Sequence, residues 1–152
     1  MSRGKFKARK EKRRFLALPH IVIDCPEFAE LSGNAVKLLI QLCFQYNGRN
    51  NGDFSAAFEP MKKRGWNSKT TLRKCLGELE EAGFIVKTRE GRFLNPGGQC
   101  ALYAITWQPI DEIPGKNLEV GPTSTPYRSF SPLLRDSPRP ESGKGSVQKV
   151  DP

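Results

Sequence analysis

The chain has 152 residues, of which 25 are Lys or Arg and 16 are Asp or Glu, so its net charge at pH 7 is +9. This length suits one domain. No stretch approaches the roughly 20 apolar residues of a membrane span, and the apolar run after the basic start is too short for a signal peptide; we therefore expect a cytoplasmic protein that has no contact with a membrane. The four cysteines lack metal-ligand spacing and the chain has one histidine, so we expect no metal and no cofactor.

The positive charge is concentrated at the N-terminus. Residues 1–14 hold eight basic residues and one acid, residues 15–110 hold eleven and nine, and residues 111–152 hold six of each. A basic segment beside a nearly neutral domain is typical of an arm that binds a polyanion. We expect residues 1–14 to be a disordered arm on nucleic acid, although a solvated end would show the same composition. The contacts predicted in the arm are Lys10, Arg13 and Arg14.

The next part of the chain predicts an extended segment, a turn, a helix and a short strand. The apolar residues 21–23 favour an extended segment, and residues 26–30 suit a single helical turn. Residues 31–46 predict the clearest helix, because their apolar side chains fall on one wide face and Ser32 can cap it. A loop over residues 47–52 then leads to an edge strand over residues 53–55.

A second helix is predicted over residues 56–64, ending at Gly65. Pro60 is unfavourable inside a helix, because it removes a hydrogen bond and clashes with the preceding turn. The helix is therefore either kinked or short, beginning near Glu59. Trp66 is expected to be buried between this helix and the next.

The segment 67–86 reads NSKTTLRKCLGELEEAGFIV and predicts a helix followed by a strand. Its leucines recur at i, i+4 and i+7 on one face. The leucines are Leu72, Leu76 and Leu79, and the candidate caps are Asn67 and Ser68. Gly83 is a natural left-handed stop, and residues 84–89 then predict a strand.

The exposed side of this helix is cationic or hydroxylated in its first two turns. Acids come only in the last turns, which opposes the helix dipole and favours an anionic partner over a merely solvated face. Ser68 and Thr70 can contact phosphate oxygens, and Arg73 can pair with a guanine edge. Lys69 and Lys74 suit phosphate contacts.

The C-terminal half predicts a hairpin and a tail. A glycine-rich, mobile tip over residues 90–99 separates the strand at 84–89 from a return strand over residues 101–107. Eight of the twelve prolines lie from Pro109 onward, so residues 111–152 are expected to be a disordered tail rich in Pro, Ser and Gly. Its apolar island FSPLL, residues 130–134, is a candidate docking segment for a protein partner.

The order helix, helix, turn, helix, strand, hairpin, strand resembles a winged helix-turn-helix domain over about residues 31–108. More narrowly, LSGNAVKLLIQLCFQYNGRNNGDFSA, ELEEAGFIV and LYAITW are similar to small helix-turn-helix proteins of bacterial prophages and integrative elements, and to the winged N-terminal modules of phage and plasmid replication initiators. The resemblance implies a mainly α domain with a small β-hairpin wing over residues 15–110.

The resemblance also implies two sets of DNA contacts. Those of the recognition helix and its start are Asn67, Ser68, Lys69, Thr70, Arg73 and Lys74, and those of the wing are Lys87, Arg89 and Arg92. The first set would face the major groove, and the second would touch phosphate or the minor groove.

We expect a sequence-specific protein for double-stranded DNA, acting near the nucleoid as a transcriptional regulator of a bacterial mobile element. The alternative is a replication-initiation or replisome-recruiting protein of a phage or plasmid. An enzyme is not expected, because the lone His20 and the single acidic cluster near Glu78 complete no catalytic site. A homodimer is left open.

Overall fold

The computed structural model describes residues 10–92 and 98–131. In chain order the elements are α1 (His20–Ile23), α2 (Pro26–Ala29), α3 (Gly33–Phe44), β1 (Phe54–Ser55), α4 (Phe58–Lys62), α5 (Lys69–Ala82), β2 (Ile85–Arg89) and β3 (Leu102–Ile105). The domain is mixed α/β, whereas the sequence predicted a mainly α domain. The predicted arm, hairpin tip and tail include residues 1–9, 93–97 and 132–152, which lie outside the described residues.

The three strands form one antiparallel sheet in the order β1-β3-β2. Phe54 pairs with Tyr103, and Ile85 pairs with Ile105. The register shifts between Lys87 and Arg89, which is the signature of a bulge at the intervening residue. The strands predicted near residues 53–55, 84–89 and 101–107 are confirmed, and β1 is an edge strand as expected.

The two long helices begin and end where the local signals predict. The Ser32 hydroxyl accepts a hydrogen bond from Ala35 N at 3.1 Å and caps α3, and the Ser68 hydroxyl accepts from Thr71 N at the same distance and caps α5. Gly83 ends α5 with φ 87°, a left-handed conformation that glycine adopts without strain. These caps satisfy backbone groups that a bare helix end would leave unpaired.

Pro60 is accommodated because α4 is short. The helix begins at Phe58, so Pro60 is its third residue, in the first turn, where its missing N–H removes no helical hydrogen bond. Met61 N donates to Ala57 O at 3.2 Å immediately after it. The shorter of the two predicted helices is therefore confirmed.

Residues 21–23 are helical, and the predicted extended segment is wrong. Asp24 N donates to His20 O at 2.8 Å, so the turn closes on itself. An extended segment would need a partner strand for the same backbone groups. The turn directs Val22 into the core, while Ile21 and Ile23 stay exposed. The single turn predicted at residues 26–30 is confirmed as α2.

The core lies between the helices and one face of the sheet. The largest fully buried apolar side chains are Phe54, Phe84, Leu38, Leu39, Leu42, Leu79, Ile105, Ile110 and Val22. The predicted burial of Trp66 is confirmed, and its indole makes polar contacts with α3, where Gln41 Oε1 accepts from the indole N–H at 2.6 Å. None of the helices in the described ranges is long and apolar enough to cross a bilayer.

Residues 111–131, which the sequence assigned to a disordered tail, lie on the domain. The Phe130 ring stacks on the Phe84 ring at a centroid distance of 5.5 Å. Glu119 N donates to Thr88 O at 2.6 Å, and Arg128 N donates to Thr106 O at 3.0 Å. The predicted boundary at residue 110 is therefore corrected. The segment has too few apolar residues for a core of its own, but it needs none because it attaches to an existing one.

Candidate nucleic-acid interface

The segment from the end of α4 through the following turn to the first two turns of α5 contains cations and no acid. In the fold, Glu59 lies beside Lys63 and Arg64, and Glu80 lies beside Lys69 and Arg73. From Pro60 to Gly77 the chain contains six basic residues and no Asp or Glu. The six basic residues are Lys62, Lys63, Arg64, Lys69, Arg73 and Lys74, and all are exposed. We call this set the α4–α5 cationic surface. Six exposed cations in one segment attract a polyanion over a distance of about a Debye length.

The recognition-helix residues predicted from the sequence lie on or beside this surface. Asn67 and Thr70 are exposed next to Lys69, Arg73 and Lys74. Ser68 is half-buried, because its hydroxyl oxygen caps α5. Since that oxygen accepts a bond from the helix, the hydroxyl keeps its proton for donation to another oxygen.

Three members of the α4–α5 cationic surface were not among the contacts predicted from the sequence. They are Lys62, Lys63 and Arg64, at the end of α4. The unbroken run KKR before Gly65 was the available signal. In the structure these residues lie at the end of α4, directly before the turn into α5, and so belong to the same segment as Lys69, Arg73 and Lys74.

The three residues predicted on the hairpin differ in how they are held. Arg92 is exposed, and its backbone pairs with that of Gln99 beside the tip. The Lys87 ammonium lies 3.3 Å from the Glu90 carboxylate. Both cations stay accessible to a phosphate.

The Arg89 guanidinium makes hydrogen bonds within the fold. Its Nε and Nη2 donate to Cys100 O at 3.1 and 2.8 Å, and its Nη1 donates to Lys116 O at 3.3 Å. The guanidinium thus joins the two hairpin strands to the C-terminal segment. Three of its five donors serve backbone carbonyls, and Arg89 stays a predicted DNA contact.

The end of the basic arm lies near the C-terminal end of α3. The Arg64 guanidinium lies 4.7 Å from the centroid of the Phe44 ring. Phe44 and Arg14 line one cavity of about 590 Å³ at the end of α3. Leu16 and Leu18 pack against the core and fix the chain just after the arm. Phe44 therefore borders both the cavity that Arg14 lines and the Arg64 guanidinium.

The other predicted arm contacts are exposed, and one of them has an acidic neighbour. Lys10 and Arg13 are exposed. The Arg13 guanidinium lies 2.7 Å from the Glu11 carboxylate, and this hydrogen bond lowers the pKa of Glu11. Glu11 therefore stays ionised and offsets one positive charge of the arm.

No group of three or more His, Cys, Asp or Glu side chains in residues 10–92 and 98–131 is placed to hold a metal ion. Comparisons of the chain with protein-family models, with curated proteins and with solved structures find no match. The chemistry of the cationic surface is therefore the basis for a functional assignment.

Proposed function

We propose that this protein binds double-stranded DNA sequence-specifically through α5, as a winged helix-turn-helix protein, and that it regulates transcription. The observation that carries the proposal is the α4–α5 cationic surface, with six exposed basic residues and no acid from Pro60 to Gly77. Phosphate neutralisation by Lys and Arg supplies most of the affinity of proteins for duplex DNA.

The topology supports the winged-helix assignment. Helices α4 and α5 are joined by a short turn, as in a helix-turn-helix, and α5 leads directly into the hairpin of β2 and β3. Strand β1 lies between α3 and α4 in the chain and pairs with β3. In this arrangement α5 would be the recognition helix and the β2–β3 hairpin would be the wing.

The residues of α5 would divide into reading and positioning contacts. Arg73, exposed in the second turn, can make a bidentate pair with the O6 and N7 atoms of guanine. Lys69 and Lys74 would contact phosphates, and the backbone N–H groups at the start of α5 offer a further phosphate seat. Lys62 and Lys63 of α4 would contact the DNA backbone, which the first helix of a helix-turn-helix crosses.

The proposed role as a regulator follows from what this surface can do. The cationic surface would bind a site on duplex DNA. Binding at a promoter is enough to regulate transcription, because regulation requires no further chemistry. The resemblance to helix-turn-helix proteins of bacterial mobile elements is the basis for proposing such an element as the setting.

Selection of bound sequences from random duplexes, followed by gel-shift titration of the preferred site, tests the proposal. Arg73→Ala should weaken that site by about 1–3 kcal/mol and relax the preference at one base pair. Lys63→Ala should weaken all duplexes alike and reduce the slope of log affinity against log salt by about 0.9.

Arg49→Ala is the matched control, because it removes the same charge from the exposed loop after α3. It should leave the affinity for the preferred site close to that of the wild type. Equal losses for Arg73→Ala and Arg49→Ala would show that binding follows net charge alone. The assignment of α5 as the reading helix would then be wrong.

A further inference from the structure

A groove of about 410 Å³ runs along α5 on the side that faces the sheet. Its apolar lining includes Leu72 and Leu76 of α5, Phe58 of α4 and Tyr103 of β3. This volume is within the range of small-molecule sites, which are mostly apolar with a few polar groups that orient the ligand. The groove therefore has the size and the lining of a ligand site.

The cations of the groove come from two elements of the fold. Lys69 and Arg73 belong to α5, and Lys87 belongs to β2. The Lys69 ammonium lies 5.6 Å from the centroid of the Phe58 ring, a cation–π contact that places its charge beside the apolar lining. Glu80 of α5 also lines the groove, so the three cations leave a net of two positive charges. An anionic group would meet this excess positive charge while its apolar part covered the leucines.

Tyr103 gives the groove an unused polar group. The residue is 5% exposed, and its hydroxyl has no hydrogen-bond partner within residues 10–92 and 98–131. Burial, followed by the charges of Glu80, Glu90 and Cys100, raises the pKa of this hydroxyl to about 12. It therefore stays protonated at ordinary pH and can donate a hydrogen bond. A buried hydroxyl without a partner is unfavourable, and a ligand oxygen would satisfy it.

We propose that this groove binds a small planar aromatic molecule that carries one carboxylate or phosphate group. The ring would lie against Leu72, Leu76 and Tyr103, and the anion would lie among Lys69, Arg73 and Lys87. The Tyr103 hydroxyl would donate to a ligand oxygen.

Ligand and DNA would exclude one another, a consequence that rests on the proposed function. Lys69 and Arg73 belong both to the groove and to the α4–α5 cationic surface. Their charges cannot pair with a bound carboxylate and with DNA at once. Binding of the ligand would therefore release the duplex.

Titration of the full-length protein with benzoate, 2-naphthoate and phenyl phosphate, without DNA, tests the site directly. Amide NMR shifts should change at residues of the groove, Leu72, Leu76 and Tyr103 among them, and should saturate. The neutral analogue 2-naphthylmethanol and the aliphatic anion acetate should bind at least tenfold more weakly. Absence of saturable shifts in the groove with all three aromatic anions would overturn the proposal.

Gly77 offers a variant that blocks the groove without touching its charges. It lines the groove, and a Cβ added there meets no atom within 4 Å. Gly77→Leu should reduce 2-naphthoate affinity at least tenfold, while Gly77→Ala, the matched control, should reduce it little. Tyr103→Phe should reduce it about 2- to 10-fold, the equivalent of one hydrogen bond. Wild-type affinity in both Gly77→Leu and Tyr103→Phe would place the ligand elsewhere.

Competition on the preferred duplex separates the two proposals. Saturating 2-naphthoate should release DNA from the wild-type protein. The Gly77→Leu variant should bind DNA normally and keep it bound when 2-naphthoate is added. Ligand binding without any DNA binding would leave the groove assignment intact and contradict the proposed function. DNA binding without ligand binding would contradict the groove assignment alone.

Discussion

Glu78 of α5 caps the N-terminus of α3 through Ser32. Its carboxylate oxygens accept hydrogen bonds from Ser32 N at 2.6 Å and from the Ser32 hydroxyl at 2.8 Å. A carboxylate at a helix N-terminus also interacts favourably with the helix dipole. Glu78 therefore stabilises α3, although a carboxylate in the second half of α5 interacts unfavourably with the dipole of α5 itself. Because Glu78 has this structural role, its position late in α5 does not by itself indicate an anionic partner.

Replacement of Glu78 should destabilise the fold more than its position in α5 suggests. Glu78→Ala removes two hydrogen bonds to α3, and we expect a loss of about 1–2 kcal/mol in the free energy of unfolding. Urea denaturation measures this value. Glu81→Ala is the control, because it removes the same charge from an exposed position of α5. Equal stabilities of the two variants would contradict the capping role.

Asn51 is a buried polar hub that joins the loop after α3 to the end of β3. Its Oδ1 accepts from Ile105 N at 2.8 Å, and its Nδ2 lies within 3.1 Å of the carbonyl oxygens of Ile105, Gln108 and Pro109. Asn51 is fully buried, so water cannot replace these bonds.

Asn51→Ala should therefore lower the free energy of unfolding by at least about 1–3 kcal/mol, the cost of leaving buried groups unpaired. Asn34→Ala, at an exposed position in the first turn of α3, should change it by less than about 0.5 kcal/mol. Thermal unfolding of the two variants measures the difference. A small effect at Asn51 would mean that its backbone partners find other donors and acceptors.

Residues 111–131 should stabilise the domain through a small number of contacts made by Arg128 and Phe130. The Arg128 guanidinium donates to Ala82 O at the end of α5 and lies 3.0 Å from the Glu27 carboxylate of α2. Its guanidinium carbon also lies 4.4 Å from the centroid of the Phe130 ring, which stacks on Phe84.

A chain that ends at residue 110 should therefore have a lower thermal midpoint than a chain that ends at residue 131. Phe130→Ala in the longer chain should reproduce part of the loss, about 1 kcal/mol or more, because aromatic pairs add to the gain from apolar burial. Equal midpoints for the two truncated chains would show that residues 111–131 only rest on the surface.

Stability should fall at alkaline pH because two buried groups resist ionisation. Burial raises the pKa of the Cys43 thiol from 9.0 to about 12, and burial with nearby negative charges raises that of the Tyr103 hydroxyl from 10.0 to about 12. The unfolded chain loses these protons first, so their contribution is complete below pH 9 and is lost as the pH rises toward 12.

Urea denaturation between pH 8 and pH 11 measures this decline. The double variant Cys43→Ala, Tyr103→Phe should show a shallower fall than the wild type across that range. Cys100→Ala is the control, because this cysteine is exposed and has no buried thiol to protect. An unchanged slope in the double variant would assign the decline to other groups.

The long elements of the fold follow from signals within one or two helical turns. The apolar spacing of α3 and α5, the caps at Ser32 and Ser68 and the stop at Gly83 each involve neighbours within about five residues. Such local interactions depend little on the remainder of the chain. The cationic first turns of α5, and so the candidate site, were predicted from the sequence for the same reason.

Partners that are distant in the chain were decided by the tertiary structure. Glu78 reaches Ser32 across 46 residues, Asn51 reaches Ile105 across 54, and Arg128 reaches Glu27 across 101. The composition of residues 111–131 predicted disorder. Composition shows that the segment cannot form its own core, but it does not show whether the segment packs on the core of the domain. Whether a polar or aromatic side chain finds a partner depends on which surface the folded domain places beside it, and no local pattern encodes that placement.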